Sequence, residues 1–86
     1  MLSIDYYRKI KELFPKEVSK SRYIYIYTID GVVQQVAFRF RKKNKYCLKR
    51  DVPKDVLLLS REQKKLPRNV IVQVCFAPLR FNLLEE

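Results

Sequence analysis

The sequence predicts a small α+β domain, an antiparallel sheet with helices packed on one face, in the order helix, three-stranded meander, helix, strand. Three observations predict it. Apolar residues recur at helical spacing from Ile4 to Phe14; the run from Arg22 to Ile29 alternates along the chain before Asp30-Gly31; and an almost wholly apolar run from Asn69 to Ala77 follows Pro67.

In the first element, Ile4, Tyr7, Ile10, Leu13 and Phe14 make one apolar stripe. Ser3 is placed to cap it, and Asp5 lies in the first turn, where a negative charge meets the positive end of the helix dipole. Pro15 ends this helix at Phe14, because the proline ring disfavours helical geometry in the residue before it. The polar stretch Lys16 to Ser21 reads as a connector.

Arg22 to Ile29 is β-branched or aromatic after its first residue and strictly alternating, the pattern of a strand with two unlike faces. Asp30-Gly31 is a turn, and Val32 to Arg41 continues as the second strand of a hairpin. Lys42-Lys43-Asn44-Lys45 is a second turn leading to a short third strand, Tyr46 to Arg50. Asp51 is placed to cap a second helix over about Pro53 to Lys65, with Val56, Leu59, Gln63 and Leu66 along one side and Leu57 and Leu58 widening the stripe. Pro67 stops it. Asn69 to Ala77 then reads as a fourth strand, central or covered on both faces, and Pro78 closes it. Residues 79–86 leave three readings open: an added strand, a helical turn or a mobile end.

Register decides what the hairpin displays. A three-residue Ile29-Asp30-Gly31 loop with Gly31 left-handed sets Thr28 opposite Val32 and groups Ile24 and Ile26 with Gln34, Val36, Phe38 and Phe40. The other face then carries Tyr23, Tyr25, Tyr27, Gln35, Ala37, Arg39 and Arg41. A two-residue Asp30-Gly31 turn sets the tyrosines with Val36, Phe38 and Phe40 instead, since one step of register exchanges the faces. The first arrangement separates Ile and Phe from Tyr and Arg more cleanly and is the favoured one.

The 86 residues fit one domain, 1–86, with no linker, low-complexity tract or internal repeat. Nearly half are apolar (48%), enough for a modest core. No apolar stretch resembles a signal peptide or reaches the ~18 residues that span a membrane, so a cytoplasmic location and no membrane partner are expected. Cys47 and Cys75, the two cysteines, read as buried apolar side chains, with a bridge between them possible only if their strands are neighbours.

Catalytic parts are scarce. With no histidine, the usual general base, the Ser-His-Asp arrangement and the commonest zinc ligand are missing, and a single glycine forbids a Gly-rich phosphate loop. The best surviving enzyme trace is Asp51 or Asp55 with Glu62-Gln63-Lys64. Its members fall on different faces of the predicted second helix, which suits solvated charge better than a metal site. The expectation is a protein that is not an enzyme and needs no cofactor or metal.

Charge carries the functional expectation. Nineteen Lys and Arg against nine Asp and Glu give a formal +10. From Arg39 to Arg50 the chain holds Arg39, Arg41, Lys42, Lys43, Lys45, Lys49 and Arg50 with no acidic residue. A ribbon displaying such a cluster suits phosphates, because each neutralised phosphate releases condensed counterions. The expected function is nucleic-acid binding, to DNA or RNA, by these seven residues with Tyr23, Tyr25 and Tyr27 as stacking partners. The alternative is an interaction module, an inhibitor or adaptor. It would dock the hairpin on an acidic protein surface or add a strand along Val70 to Phe76, to a partner or to a second copy as a homodimer.

Overall fold

A computed structural model describes residues 3–42, 45–54, 56–58 and 65–75, with backbone alone for 74 and 75. The elements are α1 (Ser3–Leu13), α2 (Pro15–Lys20), β1 (Ser21–Ile29), β2 (Val32–Phe40), β3 (Tyr46–Lys49) and β4 (Val70–Cys75). They form an α+β domain with a mixed four-stranded sheet in the order β3-β2-β1-β4. No helix of the described residues is long and apolar enough to cross a membrane.

Pro15 breaks the first helix as expected, and then starts another. Phe14 leaves helical geometry at φ −131°, ψ 60°, while Pro15 occupies the first position of α2, where its missing N–H is no loss. The stretch expected as a connector is thus a short helix. Glu17 lies in its first turn and Lys20 in its last, in keeping with the helix dipole. At its end the Ser21 hydroxyl donates to the Glu17 carbonyl at 2.6 Å, and the Arg41 N–H donates to the Lys20 carbonyl at 3.1 Å. That second bond pins α2 to the far end of β2.

The meander is present: β1 pairs antiparallel with β2, and β2 with β3. Its turn differs from the favoured one. Ile29 lies opposite Val32, and both residues between them have positive φ, 51° at Asp30 and 83° at Gly31, the primed turn that matches strand twist. Thr28 faces Val33, but Tyr27 faces Gln35, so Gln34 is an extra residue on β2. This bulge reverses the effect of the shorter turn. Beyond it Ile26 pairs with Val36 and Ile24 with Phe38, while Tyr25 pairs with Ala37 and Tyr23 with Arg39, so the favoured division of faces holds as far as Arg39. Arg41, expected beside the tyrosines, lies past the end of β2 instead, where the strand alternation no longer applies and its N–H is held by α2.

The apolar face packs beneath α1. Tyr6 and Ile10 join Ile24, Ile26, Val36 and Phe38 in one buried cluster, and Val18 of α2 packs against its margin. The Phe14 and Phe38 rings meet edge to face at 5.9 Å. Both helices therefore precede the sheet in the chain, and they serve the same core.

The expected second helix is not found over residues 53–54 and 56–58. Residues 56–58 are extended along β2: Leu57 bridges Val32, the Val33 N–H donates to the Val56 carbonyl at 3.0 Å, and the Leu58 N–H donates to the Gly31 carbonyl at 2.7 Å. These bonds continue the edge of β2 that β3 covers only from Val36 to Arg39, and backbone pairing there outcompetes a helix beginning at Pro53. The Pro53 carbonyl is also engaged, accepting from the Tyr6 hydroxyl at 2.6 Å. Val52, Leu58 and Leu66 add to the same core. The rest of that expectation, at 55 and 59–64, lies outside the described residues, as do Phe76, Ala77 and the tail 79–86.

β4 corrects two further expectations. It runs parallel to β1, making the sheet mixed, and among the described residues it is an edge strand rather than a central one. A return from the β3 edge to the β1 edge requires a crossover, and the long connection after β3 supplies its length. Val70 and Val72 are buried while Gln73 is exposed, so these two valines shield the margin of the core. Thr28 is buried beside it and donates its hydroxyl to the Gln73 carbonyl at 2.9 Å. Cys47 on β3 and Cys75 on β4 stand at opposite edges, three strand spacings or roughly 14 Å apart across the sheet and further apart along it, beyond the ~7 Å reach of a disulfide. Cys47 is buried.

Candidate nucleic-acid interface

The cationic ribbon is divided between the two sides of the sheet. Residues that alternate along a strand point to opposite faces, and β3 sets Tyr46 beside Arg39 but Lys49 beside Val36. Arg39 therefore belongs to the tyrosine face, and Lys49 to the face that carries the helices.

On the tyrosine face Arg39 occupies the middle of a row across three strands. Its guanidinium carbon lies 5.8 Å from the Tyr23 ring centre and 5.7 Å from that of Tyr46, within cation–π range of both. Tyr23 and Tyr25 are 6.3 Å apart, and Tyr25 and Tyr27 are 6.1 Å apart with nearly parallel rings. Ala37 and Gln35, opposite Tyr25 and Tyr27, are buried, and Tyr23 is the exposed member. These aromatic groups engage one another and Arg39 as a continuous ladder. Tyr46 completes that ladder but was not among the residues singled out from the sequence. Its place beside Arg39 depends on the β2–β3 register, which no local pattern specifies.

On the other side, a groove of about 700 Å³ opens between α2 and β3. Lys16 and Lys20 come from α2, Arg41 and Lys42 from the end of β2, and Lys45 and Lys49 from β3 and its approach. Phe40, half-buried, and Cys47, 5% exposed, contribute apolar surface to its lining. Lys49 carries its ammonium 5.5 Å from the centre of the Phe14 ring. Among the described residues Glu17 is the one carboxylate in the lining. Among the described residues no carboxylate lies within 4.0 Å of any of the six cations, whereas Arg8 and Asp5 form an ion pair at 3.5 Å on the exposed side of α1.

The groove joins four of the sequence-expected residues, Arg41, Lys42, Lys45 and Lys49, to two from α2 that were read as connector charges, Lys16 and Lys20. Their approach follows from the backbone. The Phe40 N–H donates to the Lys45 carbonyl at 2.8 Å, closing the β2–β3 turn, and the Lys20 carbonyl holds the Arg41 N–H. Arg50 is exposed just beyond β3, and Lys43 lies outside the described residues. Of the enzyme trace, Asp51 is exposed in the segment after β3, while Asp55 and Glu62 to Lys64 lie outside the described residues.

The arrangement is chemically suited to anions, with six cations around an opening a few side chains wide and little of their charge neutralised by the described residues. Comparison with protein-family profiles, curated proteins and solved structures finds no match for this chain.

Proposed function

We propose that this chain is a cytoplasmic, non-catalytic nucleic-acid-binding protein that holds the phosphate backbone in the groove between α2 and β3. The observation that carries the reading is the convergence of Lys16, Lys20, Arg41, Lys42, Lys45 and Lys49 on one opening, with a single carboxylate among the described residues of its lining. Solubility requires no such convergence, since charge spread evenly over a surface serves it as well. Phosphates reward it, each contact adding affinity through released counterions. Arg39, Tyr23, Tyr25 and Tyr27 hold a second surface on the opposite side of the sheet.

Titration of labelled DNA and RNA at increasing salt tests the proposal. Engagement of about five phosphates on duplex gives a log–log salt slope near −4 to −5. Affinity that is unchanged between ~50 and ~200 mM salt overturns it.

One observation favours a second reading. Among the described residues β4 has a strand partner on one side alone, and a free backbone edge is what strand addition uses. A protein partner, or a second copy forming a homodimer, is the occupant this reading takes, and a mass measurement in solution checks the second case.

A further inference from the structure

The groove is more than a patch of charge, because apolar surface lies among its cations. Phe40 and Cys47 line it together with the six basic side chains, and the Phe14 ring stands beside Lys49. A ligand that offered only phosphate oxygens would leave that apolar surface in water. One that is flat and apolar on one part and anionic on another satisfies both components at once. A nucleotide unit has that character, its base for the Phe40 ring and its phosphates for the lysines. A duplex cannot present it, since its bases are stacked and paired inside a cylinder whose surface is phosphate and sugar. At about 700 Å³ the opening falls in the size range of small-molecule pockets and suits one or two nucleotides.

The tyrosine face is the rival stacking platform, and its geometry argues against that role. Arg39 lies between Tyr23 and Tyr46, and Tyr25 lies between Tyr23 and Tyr27, so these aromatic groups already engage one another. Phe40 takes part in no such ladder among the described residues, and it sits where the cations converge.

We infer that the groove between α2 and β3 accepts an unstacked base against Phe40 with its flanking phosphates on Lys20, Lys42, Lys45 and Lys49, which makes the protein selective for single-stranded nucleic acid. This rests on the nucleic-acid reading above and narrows it to one ligand class. α2 supplies one wall and β3 the other.

The test compares a fluorescein-labelled oligouridylate and an oligothymidylate of about ten nucleotides with a duplex of equal length, by anisotropy, using the full chain. Binding to at least one single strand is expected to be about tenfold or more tighter than to the duplex. Phe40→Leu, which keeps an apolar side chain in place, is expected to lose about tenfold in single-strand affinity with duplex binding unchanged, whereas Phe40→Tyr retains it. Irradiation of a strand carrying 5-iodouridine places the adduct on Phe40. Equal affinity for strand and duplex, an undiminished Phe40→Leu variant, or an adduct on Tyr23, Tyr25 or Tyr27 overturns the inference and leaves the broader nucleic-acid reading standing. No affinity for any of these nucleic acids, with polyglutamate bound instead, overturns both.

Discussion

Tyr27 stands opposite Gln35, one residue out of step with the Thr28–Val33 pair beside it. That single offset, made by Gln34, keeps Val36 and Phe38 with Ile24 and Ile26 under α1 and leaves the tyrosines with Arg39. Deletion of Gln34 removes the offset and forces either the apolar half of β2 or the turn out of place. The expected loss is about 3 kcal/mol or more, read as a lower urea midpoint, because fully buried side chains would exchange faces with polar ones. Substitution of Gln34 by Ala keeps the residue count and is expected to cost far less.

The turn makes a sharper demand at Gly31 than at Asp30. A Cβ on Gly31 would meet Leu57 Cδ1 at 2.9 Å and the Leu58 carbonyl at 3.3 Å, and the backbone there has φ +83°. Gly31→Ala is expected to cost about 1–3 kcal/mol by thermal or urea unfolding. Asp30→Asn, which suits the left-handed conformation at least as well, is expected to be neutral or slightly stabilising.

Tyr6 ties α1 to the segment after β3 through its hydroxyl on the Pro53 carbonyl, and it is fully buried. Tyr6→Phe removes the donor and is expected to cost about 1–2 kcal/mol. Burial also holds the Tyr6 hydroxyl well above the ordinary tyrosine value. The folded state thus keeps the proton to higher pH than the unfolded chain does, so the hydroxyl's contribution is complete below pH ~10 and declines as pH rises beyond it. Unfolding measured across pH 9 to 11 is expected to show a gap between wild type and Tyr6→Phe that narrows toward alkaline pH.

Charge reversal separates the groove from net charge. Lys42→Glu with Lys45→Glu is expected to abolish binding to nucleic acid while leaving the circular dichroism spectrum unchanged, since both side chains are exposed. Lys9→Glu with Lys11→Glu makes the same change in net charge on the exposed side of α1 and is expected to weaken binding only slightly. Equal losses from the two pairs would reduce the groove to bulk electrostatics.

The thiols give a test of topology. With β3 and β4 at opposite edges, Cys47 is expected to resist alkylation in the folded protein and to react once urea unfolds it. Oxidising conditions are expected to leave the unfolding midpoint unchanged; a rise would mean that the strand order differs in solution.

What the sequence determined by itself was local. The helical stripe Ile4, Tyr7, Ile10 and Phe14, the alternation of β1, the Asp30-Gly31 turn and the break before Pro15 were legible, because each is written in residues a few positions apart that set the backbone angles between them. Leu13, expected in that stripe, is exposed, and Tyr6, fully buried, was not expected in it. The division of the hairpin into an apolar face and a tyrosine face was legible for the same reason. The route to it was not, since a turn and a bulge can offset one another without altering the pattern of either strand. Tertiary structure alone decided the rest. Val56 to Leu58 has an apolar pattern that serves helix or strand equally, and the open edge of β2 selected strand. β4 could have paired anywhere its apolar face was buried, and only the path of the chain placed it parallel to β1. Lys16 and Lys20 carried no mark of a site until the Lys20 carbonyl met the Arg41 N–H. Pairings between distant segments depend on which partners the folded chain leaves free, and no short stretch of residues encodes that.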